Sequence, residues 1–220
     1  MVESVPRITA LEPDPRRPEA VRLEIDGVRF GAVPRELVDH EQLVVGREID
    51  PGLQARLGAA ADAEAAYRTA LRVLEIRSFA QGDLTRRLLR KGHPRPAVDA
   101  ALQRVHELGL LDDAAYARTY VQTRAARGRG PLRLTRDLLS MGVERSLIDH
   151  ALQAEWPEGS DQTAVPLALA RKRAGQLGGL PRQTKRRRVV AYLARRGFVG
   201  REISELVERV VGSRESGVRT

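Results

Sequence analysis

The sequence has no cysteine, few aromatic residues and no long apolar run. Without cysteine, the chain can form neither a disulfide nor a thiolate metal site. Aromatic residues make up 4% of the 220 residues, so the core depends on Leu, Val and Ala, which favours helices. No apolar stretch approaches the roughly 20 residues that span a bilayer, and the first residues lack a signal-peptide pattern. We therefore expect a soluble, cytoplasmic protein with no membrane segment.

Motifs for catalysis or cofactor binding are also missing from the sequence. The histidines at 40, 93, 106 and 150 do not pair at metal-ligand spacing. The sequence contains neither a phosphate-binding loop of the G-x-x-x-x-G-K-[ST] type nor a G-x-S-x-G nucleophile elbow. We expect no catalytic residue, no metal and no cofactor, and hence a protein that is not an enzyme.

Positive charge is abundant but unevenly distributed. The formal net charge is +9, from 38 Lys/Arg against 29 Asp/Glu. Residues 1–60 hold 8 Arg and 11 Asp/Glu, which leaves 30 basic and 18 acidic residues for 61–220. This asymmetry predicts an acidic partner for the larger part of the chain, either nucleic acid or an acidic protein face.

The N-terminal 60 residues have their own pattern and form a predicted extension. The segment PDPRRPEA is typical of an extended lead-in, and apolar residues alternate with polar ones on both sides of Asp26-Gly27. Asp-Gly favours the tight turn of a β-hairpin, because both residues tolerate positive φ. A short helix is predicted from Pro34, and the sequence around 50–60 indicates a loop.

A repeated pattern dominates the rest of the chain. The segments LTRRLLRKGHPRPAVDAAL (84–102), LTRDLLSMGVERSLIDHAL (134–152) and VVAYLARRGFVGREISELV (189–207) align on Gly92, Gly142 and Gly197. Apolar residues recur eight and four positions before each glycine, and six and ten positions after it. This agreement predicts a helix, a turn closed by glycine and a second helix in each copy.

The repeat length leaves room for a third helix in each unit. These helices are predicted at 62–79, 112–127 and about 161–176, with Asp62 and Asp112 as N-caps of the first two. The fold class is therefore mainly α, with three tandem three-helix repeats in an elongated, curved array and a small N-terminal β-hairpin. The predicted boundaries are 61–110, 111–157 and 158–212 for the repeats, with 213–220 as a disordered tail.

Two basic stretches are candidate partner contacts. In the first, Tyr116, Tyr120, Arg124 and Arg127 share one helical face, and Arg129 and Arg133 follow without an intervening acid. Tyrosine and arginine are enriched at binding hot spots. The tyrosines have a second interpretation, since the 50-residue offset places them at the positions of two core alanines of the first unit. They would then be core or half-buried residues.

The second stretch is larger, with 11 Lys/Arg and no acid between Gln162 and Arg201. Lys185, Arg186, Arg187 and Arg188 open a predicted helix, and cations there oppose the helix dipole by about 0.3–1 kcal/mol each. An external anion such as phosphate would offset that cost, although a solvated charge run is the alternative. Arg195 and Arg196 complete this set of candidates.

Several segments together resemble the RecX family of bacterial regulatory proteins. They are RSFAQGDLTRRLLRKG (77–92), ELGLLDDAAYARTYVQTRAARGRGPLRL (107–134) and LLSMGV (138–143). The segments ITALEPD and VRLEIDGVRF are similar to an extension that many members carry. The resemblance covers about residues 7 to 210, is weaker in the third unit, and departs at Gly82-Asp83, where members often have a glutamate.

The resemblance implies a specific function. RecX proteins are not enzymes; they bind the recombinase RecA and its filament on single-stranded DNA and restrain it. RecA's ATP hydrolysis, strand exchange and co-protease activity then fall, which modulates homologous recombination, DNA repair and the SOS response. The match is best near the end of the first glycine-closed helix, which adds further candidates for contact with RecA or DNA: Arg86, Arg87, Arg90 and Lys91. We expect a monomer.

A direct, largely sequence-independent DNA-binding protein is the alternative. Paired helices around a glycine turn resemble the helix-turn-helix in outline. However, apolar positions on both helices of three units are better explained by stacking, and no recognition face rich in Asn, Gln or Arg is evident. Weak direct DNA contact can accompany RecA binding.

Overall fold

The computed structural model describes residues 5–212, so the predicted disordered tail lies outside the described residues. The chain divides into two compact units, Met1–Asp112 and Asp113–Thr220. The first contains a small sheet and the first three-helix repeat, and the second contains the other two repeats. Among the described residues, no helix has the length and apolar content that crossing a membrane requires.

The N-terminal sheet has three strands rather than the two that were predicted. Strands β1 (Ile8–Asp14), β2 (Arg17–Ile25) and β3 (Val28–Pro34) are antiparallel in the order β1-β2-β3. The Asp26-Gly27 turn is confirmed, with φ of 49° and 76°. The expected extended lead-in, residues 13–20, instead contains the end of β1, the turn and the start of β2. Prolines hide β1 from pattern analysis, but edge strands and turns tolerate them.

A long helix follows the short helix α1 (Arg35–His40) and covers the sheet. Helix α2 (Pro51–Leu74) begins where a loop was predicted, and that prediction is wrong. The Asp50 side chain accepts a hydrogen bond from the Leu53 N–H at 2.9 Å, and Pro51 occupies the first helical position. The first half of α2 buries leucines against the sheet, which explains why the helix starts so early. Asp62 therefore lies inside α2 and is not an N-cap.

Helices α3 (Gln81–Arg90) and α4 (Arg95–Glu107) complete the first repeat with α2. The residues predicted from the repeat are buried in its core, among them Leu84, Leu88 and Val98 at 0% exposure. Helix α2 ends at Leu74 rather than at residue 79 as predicted, and Ile76, just beyond its end, is 77% exposed.

An ion-pair cluster joins the sheet to this repeat. Glu64 on α2 is 2% exposed and accepts hydrogen bonds from Arg17 on β2 at 2.7 Å and Arg104 on α4 at 3.1 Å. The two guanidinium groups also lie over the Tyr67 ring, at 4.6 and 4.1 Å from its centroid. Burial raises the pKa of the Glu64 carboxyl, while Arg17, Arg104 and Arg68 act to lower it.

The second unit repeats the same arrangement twice. Its helices are α5 (Asp113–Ala125), α6 (Pro131–Ser140), α7 (Arg145–Glu155), α8 (Ala164–Gly175), α9 (Arg182–Arg196) and α10 (Arg201–Gly212). Gly92, Gly142 and Gly197 have φ of 86°, 84° and 93°, as their predicted role after a helix requires. The mainly α fold with tandem three-helix repeats is confirmed.

Repeats two and three touch through backbone at two glycines. The Gly130 N–H donates to the Arg196 carbonyl at 2.7 Å, and the Leu132 N–H donates to the Gly197 carbonyl at 3.3 Å. A Cβ added at Gly197 would lie 2.4 Å from the Arg133 nitrogen. The start of α6 therefore rests directly on the end of α9, at a distance that only glycine allows.

Candidate partner-binding surfaces

The cations at the end of α3 form the first candidate surface. Arg86 pairs with Asp83 at 2.6 Å, and the Arg90 Nε makes a long, 3.4 Å bond to the Arg86 carbonyl. Arg87 is half-buried, with its guanidinium 5.6 Å from the centroid of the Phe79 ring. Lys91 is exposed. Arg90 and Lys91 are therefore the cations of this group that are most available to a partner.

The two tyrosines of α5 form a half-buried cluster against α6. Their rings stack with centroids 6.1 Å apart. The Tyr116 hydroxyl contacts the Met141 sulfur at 3.5 Å, and the Tyr120 hydroxyl donates to Asp137 at 3.2 Å. Burial and the neighbouring Asp137 carboxylate raise the pKa of Tyr120. These contacts match the interpretation of the tyrosines as half-buried residues.

Asp137 also neutralises two of the candidate arginines. Arg129 Nη1 lies 2.6 Å from Asp137 Oδ2, and Arg133 Nε lies 2.9 Å from Asp137 Oδ1. Sequence analysis did not single out this acid, although its spacing of four from Arg133 is a recognisable helical pairing signal. Arg129 thus ties the segment after α5 to α6, whereas Arg133 pairs within α6, and neither offers free charge.

The remaining arginines of the first basic stretch extend beyond this cluster. Arg124 lies 5.3 Å from the centroid of the Tyr120 ring, a cation–π contact that leaves its guanidinium partly exposed. Arg127 is exposed, and its carbonyl accepts a hydrogen bond from Arg196 at 3.2 Å.

Of the four cations in the basic run on α9, two bind other groups of the protein and two are exposed without an acidic partner in the described residues. The helix begins at Arg182, so the run lies one turn further along than predicted. Lys185 Nζ donates to the Gly178 carbonyl at 3.2 Å, and Arg186 pairs with Glu208 on α10 at 2.7 Å. Arg187 and Arg188 are exposed, and within residues 5–212 neither has a carboxylate at ion-pair distance.

The end of α9 shows the same division. Arg195 is exposed, with no ion-pair partner in the described part of the chain. Arg196 instead donates to the Arg127 and Gly128 carbonyls at 3.2 and 3.1 Å and lies 5.0 Å from the Tyr192 ring centroid. Arg196 therefore closes the end of α5, and Arg195 remains available together with Arg187 and Arg188.

The described part of the chain offers little in the way of an enclosed binding site. A pocket of about 500 Å³ lies between α8 and α10, and its lining residues include Arg171, Arg209, Leu167, Leu206 and Val210. Within residues 5–212, no group of three or more His, Asp or Glu side chains is placed to hold a metal ion. The candidate sites are thus exposed cationic surfaces.

Two family models match the second unit. They are described as the second and third three-helix domains of RecX, and they match residues 112–152 and 167–207. These ranges contain α5, α6 and α9 completely, most of α7 and α8, and just over half of α10.

Relatives and solved structures extend the similarity along the chain. The regulatory protein RecX of Halorhodospira halophila is 34% identical over 147 residues, covering 66% of this chain and 88% of the relative. The regulatory protein RecX of Levilactobacillus brevis is 31% identical, covering 87% of this chain and 71% of the relative. A crystal structure of a regulatory protein RecX superimposes with a TM-score of 0.73 at 25% identity, covering 93% of this chain and 99% of that one.

Proposed function

The chain belongs to the RecX family of regulatory proteins, and on that premise we propose that it binds RecA and the filament that RecA forms on single-stranded DNA. Binding restrains RecA, so that its ATP hydrolysis, strand exchange and co-protease activity fall. The observation that carries the proposal is the similarity to regulatory RecX proteins along 88% of a relative's length.

In this proposal, the protein acts by binding alone. A ligand that binds one state of its target more tightly than another shifts the target toward that state. A filament that hydrolyses ATP alternates between states with ATP bound and states with ADP bound. A regulator that favours one of those states slows the cycle without performing chemistry of its own.

Direct contact with DNA is the second candidate function, and one surface favours it. Arg188 and Arg195 are seven residues apart on α9, so they share one face at a separation of roughly 10 Å, with Arg187 beside them. These three exposed arginines have no carboxylate partner within residues 5–212. We call them the α9 arginine face, and phosphates are its most suitable ligand.

Replacing Arg187 and Arg188 with Gln is expected to weaken binding to single-stranded DNA while leaving the helical content unchanged. On single-stranded DNA, each lost phosphate contact reduces the magnitude of the slope of log affinity against log salt by about 0.7. The double variant should therefore reduce this magnitude by about 1.4, as measured by fluorescence anisotropy on labelled single-stranded DNA across a salt series.

The matched control removes the same number of charges from the same unit. Arg145 and Arg201 are exposed, but each pairs with an acid on its own helix, Asp149 at 2.9 Å and Glu205 at 2.7 Å. Their Gln variants should leave the salt slope close to that of the unmodified protein. If both double variants reduced the salt slope equally, net charge rather than the α9 arginine face would determine DNA affinity.

The same assay on RecA filaments tests the main proposal. A complex held by protein contacts should persist as salt rises, because the burial of apolar surface is not screened. A complex held only by phosphate contacts should dissociate in parallel with bare single-stranded DNA. Filament binding that is no stronger than bare-DNA binding at any salt concentration would favour the DNA-binding alternative.

A further inference from the structure

The middle helix of the first two repeats exposes the same apolar residue. Leu89 on α3 and Leu139 on α6 stand 50 residues apart, each three positions before the glycine that follows its helix. They are 37% and 46% exposed, whereas the leucines that immediately precede them are fully buried. One exposed leucine is ordinary on a protein surface. The same exposed leucine at the equivalent position of two repeats is a property of the repeat itself.

Arginine accompanies each of these leucines on the same helical face. Arg86, which pairs with Asp83, stands three residues before Leu89, and Arg136 stands three residues before Leu139. Arg90 lies beside Arg86, one turn further along α3. Arg136 is exposed, with no carboxylate at ion-pair distance in residues 5–212. We call these two sets the Arg–Leu faces, namely Arg86, Leu89 and Arg90 on α3, and Arg136 and Leu139 on α6.

The third helices of the same repeats satisfy their surface charges internally. Arg95 binds both carboxylate oxygens of Asp99 on α4, and Arg145 binds both oxygens of Asp149 on α7, at 2.8–2.9 Å. These pairs are also 50 residues apart. Helices α3 and α6 hold one internal ion pair each as well, Arg86 with Asp83 and Arg133 with Asp137, but Arg90 and Arg136 add positive charge beyond these pairs. The third repeat has Ala191 and Ala194 at the equivalent positions and lacks the face.

We propose that the two Arg–Leu faces are equivalent docking surfaces for a protein partner that presents an apolar socket bordered by carboxylates. The excess positive charge selects an acidic surface. The leucine selects a protein surface, because a phosphate backbone offers no apolar socket for an aliphatic side chain. Two equivalent faces suit a partner that presents the same site more than once. The inference rests on the proposed function, in which that partner is a filament of identical subunits.

The test compares Leu89→Gln, Leu139→Gln and the double variant. Glutamine retains the side-chain length and the helix propensity of leucine, so circular dichroism should be unchanged. Affinity is measured for RecA filaments on labelled single-stranded DNA and for the same DNA without RecA. Ile76→Gln is the matched control, because it removes a 77% exposed aliphatic side chain that lies outside both faces.

We expect each single variant to weaken filament binding about fivefold or more, as for a residue that contributes measurably to an interface, and the double variant to weaken it further. The affinity of the leucine variants for bare DNA should equal that of the unmodified protein. The affinity of Ile76→Gln for filaments should also equal that of the unmodified protein. Filament binding by the double variant that equals that of the unmodified protein would overturn the inference and leave the proposed function standing. A parallel loss on bare DNA would indicate a nucleic-acid contact instead and would also overturn it. An unmodified protein that does not bind filaments would refute both proposals.

Discussion

Gly197→Ala is expected to lower the free energy of unfolding by about 3 kcal/mol or more, as measured by urea denaturation. Two independent costs combine at this residue. Its φ of 93° lies in the left-handed region, which costs a residue with a Cβ about 1–2 kcal/mol. The added Cβ would also lie 2.4 Å from the Arg133 nitrogen and 2.8 Å from the Gly130 carbonyl oxygen. Backbone cannot rotate away as a flexible side chain can, so α6 and α9 must separate.

Gly159→Ala is the control that isolates the conformational cost. Gly159 has a φ of 81° and lies in the same unit, but a Cβ added there would meet no atom within 4 Å. This variant should lose only about 1–2 kcal/mol. If the two variants were equally stable, the close contact between repeats two and three would contribute nothing, and the glycine would serve only the turn.

Glu64→Ala is expected to destabilise the first unit by about 3 kcal/mol. The carboxylate is buried between Arg17 and Arg104, and Arg17 has only 12% of its side chain exposed. Removing the acid leaves a buried guanidinium without its nearest counter-charge, which is more costly than losing a surface pair. The expected loss lies at the lower end of the usual range, because Arg17 keeps a 3.0 Å pair with Glu19.

Glu19→Gln is the matched control, since Glu19 binds the same arginine with 48% of its side chain exposed. It should cost less than about 1 kcal/mol of the free energy of unfolding.

The pH dependence of the Glu64→Ala penalty provides a second readout. The folded-state pKa of Glu64 is raised above its ordinary 4.5, so its contribution to stability is present below that value and is lost as the pH rises through the folded pKa. The penalty of Glu64→Ala should therefore be larger near pH 4.5 than at about pH 8. A penalty that grew with pH would contradict this assignment.

The repeat made the helical part of the fold predictable. Each copy places apolar residues at the same distances from a glycine, and Leu84, Leu134 and Val189 are all fully buried. Local chemistry determines these helices, because the apolar spacing and the terminating glycine lie within one short segment.

The N-terminal unit was less predictable, because its elements depend on contacts distant in sequence. Strand β1 is specified by pairing with β2 and not by its own proline-containing segment. The early start of α2 depends on Leu53 and Leu57, which pack against strand residues such as Leu23. A Pro-Gly pair ordinarily indicates a loop, but here Asp50 caps the helix and the proline opens it.

The availability of the candidate arginines also depends on distant partners. A run without acids indicated a continuous basic surface from Lys185 to Arg188, yet Glu208 on the next helix neutralises Arg186. Arg196 similarly binds carbonyl oxygens about seventy residues away. Sequence analysis located the basic stretches, but only the folded chain separates internal cations from those that a partner can reach.

The most direct test of the proposed function is RecA's ATP hydrolysis on single-stranded DNA, with this protein titrated in below the concentration of RecA. Regulation of a filament predicts that hydrolysis falls at these substoichiometric ratios. The inhibition lost by variants of the α9 arginine face and of the Arg–Leu faces then ranks the contributions of these surfaces. Unchanged hydrolysis at equimolar protein, with binding to bare DNA verified in the same buffer, would contradict the proposed restraint of RecA and favour direct DNA binding.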